Sequence, residues 1–279
     1  MSPIDTLLAE AAVLLSSDTD AAVWRRLDWL DRLELHLPPG GAPRDSATAR
    51  LRAAAEAQNL ALYATLRQAN AGGDRQRLPA LLAIHPVHGA APAAAEGFDA
   101  RDELLAGVLQ LPAPGASEVA LAPDMVAYQP TPVRHVLDLL ARAAMGPDDV
   151  LVDLGAGLGQ VPLMTALLSP ARACGIEIEP AYVASARQAA AALGLERASF
   201  LCQDLRQADL AAGTVFYLYT PLRGTLLTDL LERLRAEAAR RPIRLCSFGP
   251  CTLALRRAPW LRAVGEVQPQ RVALFEARS

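Results

Sequence analysis

The run Val150-Leu151-Val152-Asp153-Leu154-Gly155-Ala156-Gly157-Leu158-Gly159-Gln160 constrains this chain more than any other stretch. Val150 to Asp153 reads as the end of a buried strand, and Val161 to Leu168 is apolar enough to begin a helix packed on it. Between them stand three alternate glycines. They turn the chain where backbone can approach a ligand with no Cβ atoms in the way. Strand, glycine turn and helix make the first half of a nucleotide-type βαβ unit. The competing reading is a glycine turn in some other α/β fold.

The ligand class follows from the spacing. A dinucleotide fingerprint is G-x-G-x-x-G and seats a pyrophosphate at a helix N-terminus. Here the run is Asp153-x-Gly155-x-Gly157-x-Gly159, so the third glycine comes one residue early. A carboxylate two residues before the first glycine is awkward for a pyrophosphate and suits a ligand with positive charge. S-adenosylmethionine carries a sulfonium and an ammonium. At these residues the sequence resembles the class I (Rossmann-like) S-adenosylmethionine-dependent methyltransferases, whose first motif is acid-x-G-x-G-x-G. The resemblance spans about residues 125 to 279. It implies an α/β fold with a doubly wound, mostly parallel seven-stranded sheet.

The length of 279 residues suits one large domain, or one domain plus a smaller one, and 52% hydrophobic residues can bury a sizeable core. At a net charge of −3, broad electrostatic attraction to nucleic acid is not expected. Every strongly basic residue is arginine, so neither a lysine nucleophile nor a lysine phosphate clamp is available. Cys174, Cys202, Cys246 and Cys251 form no C-x-x-C pair, which argues for a reduced, cytoplasmic protein without a zinc site. The apolar stretch Ala11–Leu15 is far too short to span a membrane.

Residues 1–115 read as a helical N-terminal domain and 116–279 as the α/β domain. Ile4, Leu7, Leu8, Ala11 and Leu15 recur at helical spacing. Asp18 or Asp20 is expected to cap a second helix through Trp24 and Trp29. A third helix is expected over Ser46–Ala69 and a short fourth over Leu78–Ile84. In His85-Pro86-Val87-His88 the proline argues for a solvated loop rather than a metal-binding helix face, and no metal site is expected. Gly89 to Gly97 reads as a linker. Asp99, Asp102 and Glu103 open a further helix as acids of its first turn; the sharper reading has them border a substrate entrance.

In the α/β domain, Tyr128-Gln129-Pro130-Thr131-Pro132 precedes a helix over Val133–Ala144. Thr131 is expected as its N-cap and Pro132 as its first residue; His135 is expected on its surface. Later strands are expected at 172–178, 198–202, 214–219 and 243–248, with Gly249-Pro250-Cys251-Thr252 an exit loop and 264–266 with 271–277 a closing antiparallel pair. The resemblance assigns roles to particular residues. Asp153, Gly155, Gly157, Gly159 and Gln160 make the cofactor turn. Glu177 accepts hydrogen bonds from the ribose, as the acid about 20 residues on does in dinucleotide folds, and fits better than Glu179. Asp204 accepts from the adenine amino group, and Leu205 packs on the adenine. Tyr128 and Thr131 border the methionine end. Tyr217, Tyr219 and Thr220 lie at the fourth-strand exit facing the transferring methyl, as candidate catalytic residues.

Asp153 to Val161, the Gly175-Ile176-Glu177 strand end and the Asp204 turn together resemble the disruptor-of-telomeric-silencing histone-lysine methyltransferases, Gln160-Val161 most tellingly. Their asparagine-rich fourth motif is replaced here by Tyr217-Leu218-Tyr219-Thr220-Pro221, and no basic tail is present, so the chromatin substrate does not carry over. The chain looks like a bacterial branch on the same cofactor frame. The expected function is methyl transfer from S-adenosylmethionine to a nucleophile, nitrogen slightly favoured, of a small-molecule or peptide/protein acceptor. The N-terminal helices are expected to cover the cleft; a homodimer stays open. Alternatives are a non-catalytic S-adenosylmethionine-binding protein and, further off, a nicotinamide oxidoreductase.

Overall fold

A computed structural model describes residues 3–37, 46–85, 97–113, 115–116 and 118–278. His88 and most of the Gly89–Gly97 linker lie outside them. The chain forms two compact units, the first ending at Val108 and the second running from Leu109.

The first unit is helical: α1 (Pro3–Leu15), α2 (Ala22–Glu34), α3 (Ser46–Ala71), α4 (Arg77–Ala83) and α5 (Ala100–Leu109). Leu7, Ala11 and Leu14 lie three to four residues apart, so they share one face of α1. They pack against Trp29 and Leu33 of α2 and Ala55 of α3. The indole of Trp29 is anchored as well as buried, donating to the Leu7 carbonyl at 2.9 Å. Neither Asp18 nor Asp20 caps α2, whose N-cap is Ala21 with no side-chain bond. Asp20 instead accepts two hydrogen bonds from Arg77 (2.7 and 3.0 Å), since a bidentate ion pair competes well with a cap. His36 is exposed; His85 stands edge-on to Trp24 at 4.5 Å. Asp99 and Asp102 close on their own helix start, through Arg101 N–H (2.9 Å) and Asp99 N–H (2.8 Å) respectively.

The second unit holds a seven-stranded sheet of order β3-β2-β1-β4-β5-β7-β6. Its strands are β1 (Val150–Leu154), β2 (Arg172–Glu177), β3 (Ala198–Cys202), β4 (Val215–Leu218), β5 (Arg244–Ser247), β6 (Leu261–Val264) and β7 (Ala273–Ala277). β7 runs antiparallel to both neighbours and the other pairings are parallel. The helices are α6 (Val133–Ala143), α7 (Gln160–Leu168), α8 (Pro180–Ala192), α9 (Gly224–Ala238) and α10 (Cys251–Arg257). Strand period two puts Val152 with Leu154, and Phe216 with Leu218, on one face. They join Leu227, Leu230, Leu231 and Leu234 of α9 in one core. Each such side chain contributes roughly 1.5–3 kcal/mol on burial.

Four local expectations need correction. Thr131 does not cap α6: Pro132 occupies the N-cap, not the first turn, and caps nothing with its side chain. His135 is not a surface residue but 4% exposed, its ring 4.2 Å from that of Phe248. Phe248 arrives from more than a hundred residues away, which helical spacing does not register. The expected exit loop at Cys251 is helix α10, held by buried Thr252 and Leu255, with the hydroxyls of Ser247 and Thr252 2.9 Å apart. β6 starts at Leu261, three residues before the expected start of its pair.

Among the described residues, no helix is long and apolar enough to cross a membrane, and no group of three or more His, Cys, Asp or Glu side chains could hold a metal ion.

Candidate cofactor-binding site

β2 and β4 flank β1, so the chain leaves β1 toward one side and returns on the other. This is the switch point, where open α/β sheets leave a crevice at the carboxyl ends of their strands. The crevice here has a volume of about 270 Å³. A strap over residues 118–128 is sewn across its rim. At one end the Glu118 and Val119 N–H groups donate to the Glu179 carboxylate (3.0 and 3.1 Å). At the other, Val126 N–H donates to the Pro221 carbonyl (3.1 Å) and Arg223 N–H to the Asp124 carbonyl (2.8 Å).

Asp153 lines this crevice from β1. It is 4% exposed. Burial, and secondarily the nearby Glu177 charge, push its pKa up from 3.8 to about 8. Its carboxyl has no hydrogen-bond or ion-pair partner among the described residues, whereas the other acids of the crevice are engaged. Glu177, at the end of β2, accepts from Gly157 N–H on one oxygen (2.8 Å) and from Ile178 and Glu179 N–H on the other (2.8 and 2.9 Å). A carboxylate offers about four acceptor sites, so the oxygen facing Gly157 keeps capacity. Asp204 is held by the Arg206 guanidinium and N–H (2.9 Å), and this bonding lowers its pKa.

The glycine turn divides its work. Gly155, Ala156 and Gln160 line the crevice. Gly157 and Gly159 do not; they shape the turn. All three glycines have positive φ (86°, 54° and 78°). A Cβ on Gly157 would stand 2.0 Å from the Tyr128 ring, and one on Gly159 2.5 Å from Phe200. Gly157 therefore lets Tyr128 close down on the turn, and Gly159 lets α7 pack on the sheet.

Tyr128 meets Tyr182 edge to face at 5.6 Å, and burial pushes its phenol pKa up to about 12. Thr131 is buried and its hydroxyl lies 3.3 Å from that of Tyr217. Burial holds the Tyr217 phenol well above its ordinary value. Tyr219 follows β4 and packs against Phe248 at 4.8 Å. Thr220 is buried with a left-handed backbone (φ 45°) and accepts from Cys251 N–H at 3.4 Å. Leu205 is buried at the crevice wall. Every sequence-derived cofactor or catalytic candidate except Gly157 and Gly159 therefore lines one crevice, and those two glycines form its turn; Asp99, Asp102 and Glu103 do not line it.

Sequence reasoning weighed Glu179 only as a weaker ribose acid than Glu177, and missed its capping role, Tyr182, Gln129 and the strap. Glu179 had a signal: an acid followed by proline at a helix start is a capping pattern, and Glu179 does cap α8 while holding the strap. The strap had none, because what it contributes to its bonds are backbone N–H and C=O groups that every residue possesses.

Residues 125–213, less than half of the chain, match the family model described as "Histone methylation protein DOT1". No curated protein matches. Among solved structures, the chain is similar to an RNA methyltransferase from Salinibacter ruber, solved with S-adenosyl-L-homocysteine, at 30% identity. That match covers 53% of this chain and 92% of the other, with a TM-score of 0.41. It is also similar to the putative methyltransferase yhhF from Escherichia coli, at 21% identity over 56% of this chain and 90% of the other, with a TM-score of 0.44.

Proposed function

We propose that this chain, a class I S-adenosylmethionine-dependent methyltransferase, transfers the methyl group to a neutral nitrogen of a small-molecule or peptide/protein acceptor. One observation carries the reading: a buried carboxyl, Asp153, faces the switch-point crevice with no hydrogen-bond or ion-pair partner among the described residues. A buried charge without a counter-charge is costly, and a cationic ligand relieves that cost. A pyrophosphate would add a second anion and increase it.

The residues fit the cofactor along its length. Asp153 meets the positive methionine end, which Tyr128 and Thr131 border. The free acceptor capacity of Glu177 takes a ribose hydroxyl. Asp204 takes the adenine amino group, and Leu205 supplies the apolar wall for the ring. Gly155 and Gln160 lie where the backbone must come close, and Gly157 and Gly159 keep the turn in that shape. When bound, S-adenosylmethionine supplies an electrophilic methyl on a sulfonium.

The protein's own part is to position and to exclude water. Tyr217, Tyr219 and Thr220 border the transfer point. Glu177, Glu179 and Asp204 are committed to hydrogen bonds, and Asp153 to the cationic ligand, so no carboxylate is left to take a proton. That favours a nitrogen arriving neutral: it forms the new C–N bond with its lone pair, the S–C bond breaks toward sulfur, and the extra N–H proton leaves to water afterwards. An oxygen nucleophile would need a base first.

The test is transfer of labelled methyl from S-adenosylmethionine to matched aromatic amines and phenols. The expected result is label in amines, with a rate that falls as pH drops below the amine pKa. Cofactor binding with no transfer to any acceptor would instead favour the non-catalytic reading. Transfer to phenols alone would contradict the nitrogen assignment.

A further inference from the structure

Beside the crevice, and sharing Gln129, Tyr219 and Thr220 with it, lies a second cavity of about 410 Å³. It opens between the exits of β4 and β5. Its walls are Tyr219, Phe248, Pro132, Pro250 and Pro269, rigid side chains that form flat apolar faces. Its shape is fixed by backbone. Gly249 N–H donates to the Pro269 carbonyl at 2.8 Å. Gly249 has φ +80°, and a Cβ there would stand 3.1 Å from both the Tyr219 ring and the Thr220 hydroxyl. A side chain there would be strained by the positive φ and would crowd that ring against this wall.

The charge of the second cavity is one-sided. Among the described residues its lining carries one formal charge, that of Arg223, with no aspartate, glutamate or histidine. Arg223 is exposed and makes no ion pair among the described residues. Asp124, in the strap bonded to that turn, accepts from the Thr225 hydroxyl at 3.3 Å. All the carboxylates of the site lie in the first crevice, where the proposed cofactor role uses them. A lysine or arginine side chain entering the second cavity would find no anion and one like charge.

We infer that the second cavity is the acceptor site, and that it takes a small planar aromatic acceptor carrying an anionic group, carboxylate or phosphate, rather than a cationic peptide. The ring lies between Tyr219, Phe248 and the prolines, its anionic group meets the Arg223 guanidinium, and its nucleophile reaches the shared Tyr219–Thr220 boundary. Arg223 is thus a specificity-determining residue. The inference rests on the cofactor reading above, because it is that reading which occupies the first crevice.

The experiment is titration calorimetry on the full chain. S-adenosylhomocysteine is titrated first. Its failure to bind would remove the cofactor reading, and this inference with it. The loaded protein is then titrated with 4-aminobenzoate, phenyl phosphate, the uncharged 4-aminobenzamide and a lysine-rich peptide. The expected result is that one or both anionic probes bind about tenfold or more tighter than the amide, in line with a charge-assisted contact. Which anion is preferred identifies the group. In Arg223→Gln that preference falls to about one, while S-adenosylhomocysteine affinity is unchanged; a merely structural role for Arg223 would not move the ratio. Tighter binding of the peptide, an unchanged ratio in Arg223→Gln, or binding of no probe to the loaded protein would each overturn the assignment.

Discussion

Gly157→Val yields a folded protein that no longer binds S-adenosylmethionine, with affinity lower by at least about a hundredfold. Two effects add. Gly157 sits at φ +54°, where a β-branched residue is strained by about 1–3 kcal/mol. The new Cβ would also stand 2.0 Å from the Tyr128 ring, so Tyr128 must leave or the turn must open. If Tyr128 leaves, a wall of the crevice, the one proposed to border the methionine end, goes with its 5.6 Å contact to Tyr182. If the turn opens, Glu177 loses the Gly157 N–H at 2.8 Å that orients it. The β1–β2 register ends at Leu154 and Ile176, before Gly157, so the strand pairing is expected to survive either outcome even if the Gly155 and Ala156 N–H bonds to the Ile176 carbonyl (2.9 and 3.0 Å) are disturbed. Far-UV circular dichroism checks the fold and calorimetry the binding. Removing the clash from the other side, with Gly157→Ala in a Tyr128→Ala background, should recover part of what Gly157→Ala alone loses. Unchanged affinity in Gly157→Val would contradict the turn as described.

Asp153→Asn moves stability and binding in opposite directions. Asp153 has a pKa of about 8 in the folded protein against an ordinary 3.8. For a raised acid, folding favours the protonated form. The stability belonging to that form is complete below the unfolded pKa and is lost progressively as pH rises through the folded pKa. Between about pH 4 and 8 the wild type therefore loses stability from this site, and asparagine, which never ionises, does not. At pH 8 the variant should be more stable by ~2 kcal/mol or more, a rise in melting temperature of roughly 4 °C or more. Yet the cation loses its counter-charge, and S-adenosylmethionine affinity falls about a hundredfold. Wild-type affinity should also rise with pH toward 8, as the carboxylate becomes available, and the variant should show no such dependence. A destabilised Asp153→Asn that still bound the cofactor would contradict the account.

Much of this was legible in the sequence where the relevant physics is local. The β1–glycine–α7 unit was readable because strand burial, glycine conformation and helix start all fall within twenty residues. That Glu177 and Asp204 would meet at one crevice was readable because parallel strands deliver their ends to one edge of the sheet. What escaped depended on distant partners. Thr131 looked like a helix cap, since a threonine before a proline and an apolar helix is a capping pattern; only β4, bringing Tyr217 to 3.3 Å, shows another use. His135 looked exposed until Phe248 covered it. The engagement of Asp204 by Arg206 was in principle local, two residues on, but residue types alone do not distinguish it from a free turn acid. The second cavity combines Pro132, Tyr219, Phe248 and Pro269 from four separate stretches, and no periodicity records that meeting.

The most direct test of the central claim is titration calorimetry with S-adenosylmethionine, S-adenosylhomocysteine and NAD in parallel, across pH 6 to 9, on wild type and Asp153→Asn. Binding of the first two and none of NAD is the expected result. Wild-type affinity for S-adenosylmethionine should climb through pH 8, where Asp153 is half ionised, and level off only above it, and that climb should be absent in the variant. Binding of NAD alone, or S-adenosylmethionine binding that ignores both pH and Asp153, would contradict it.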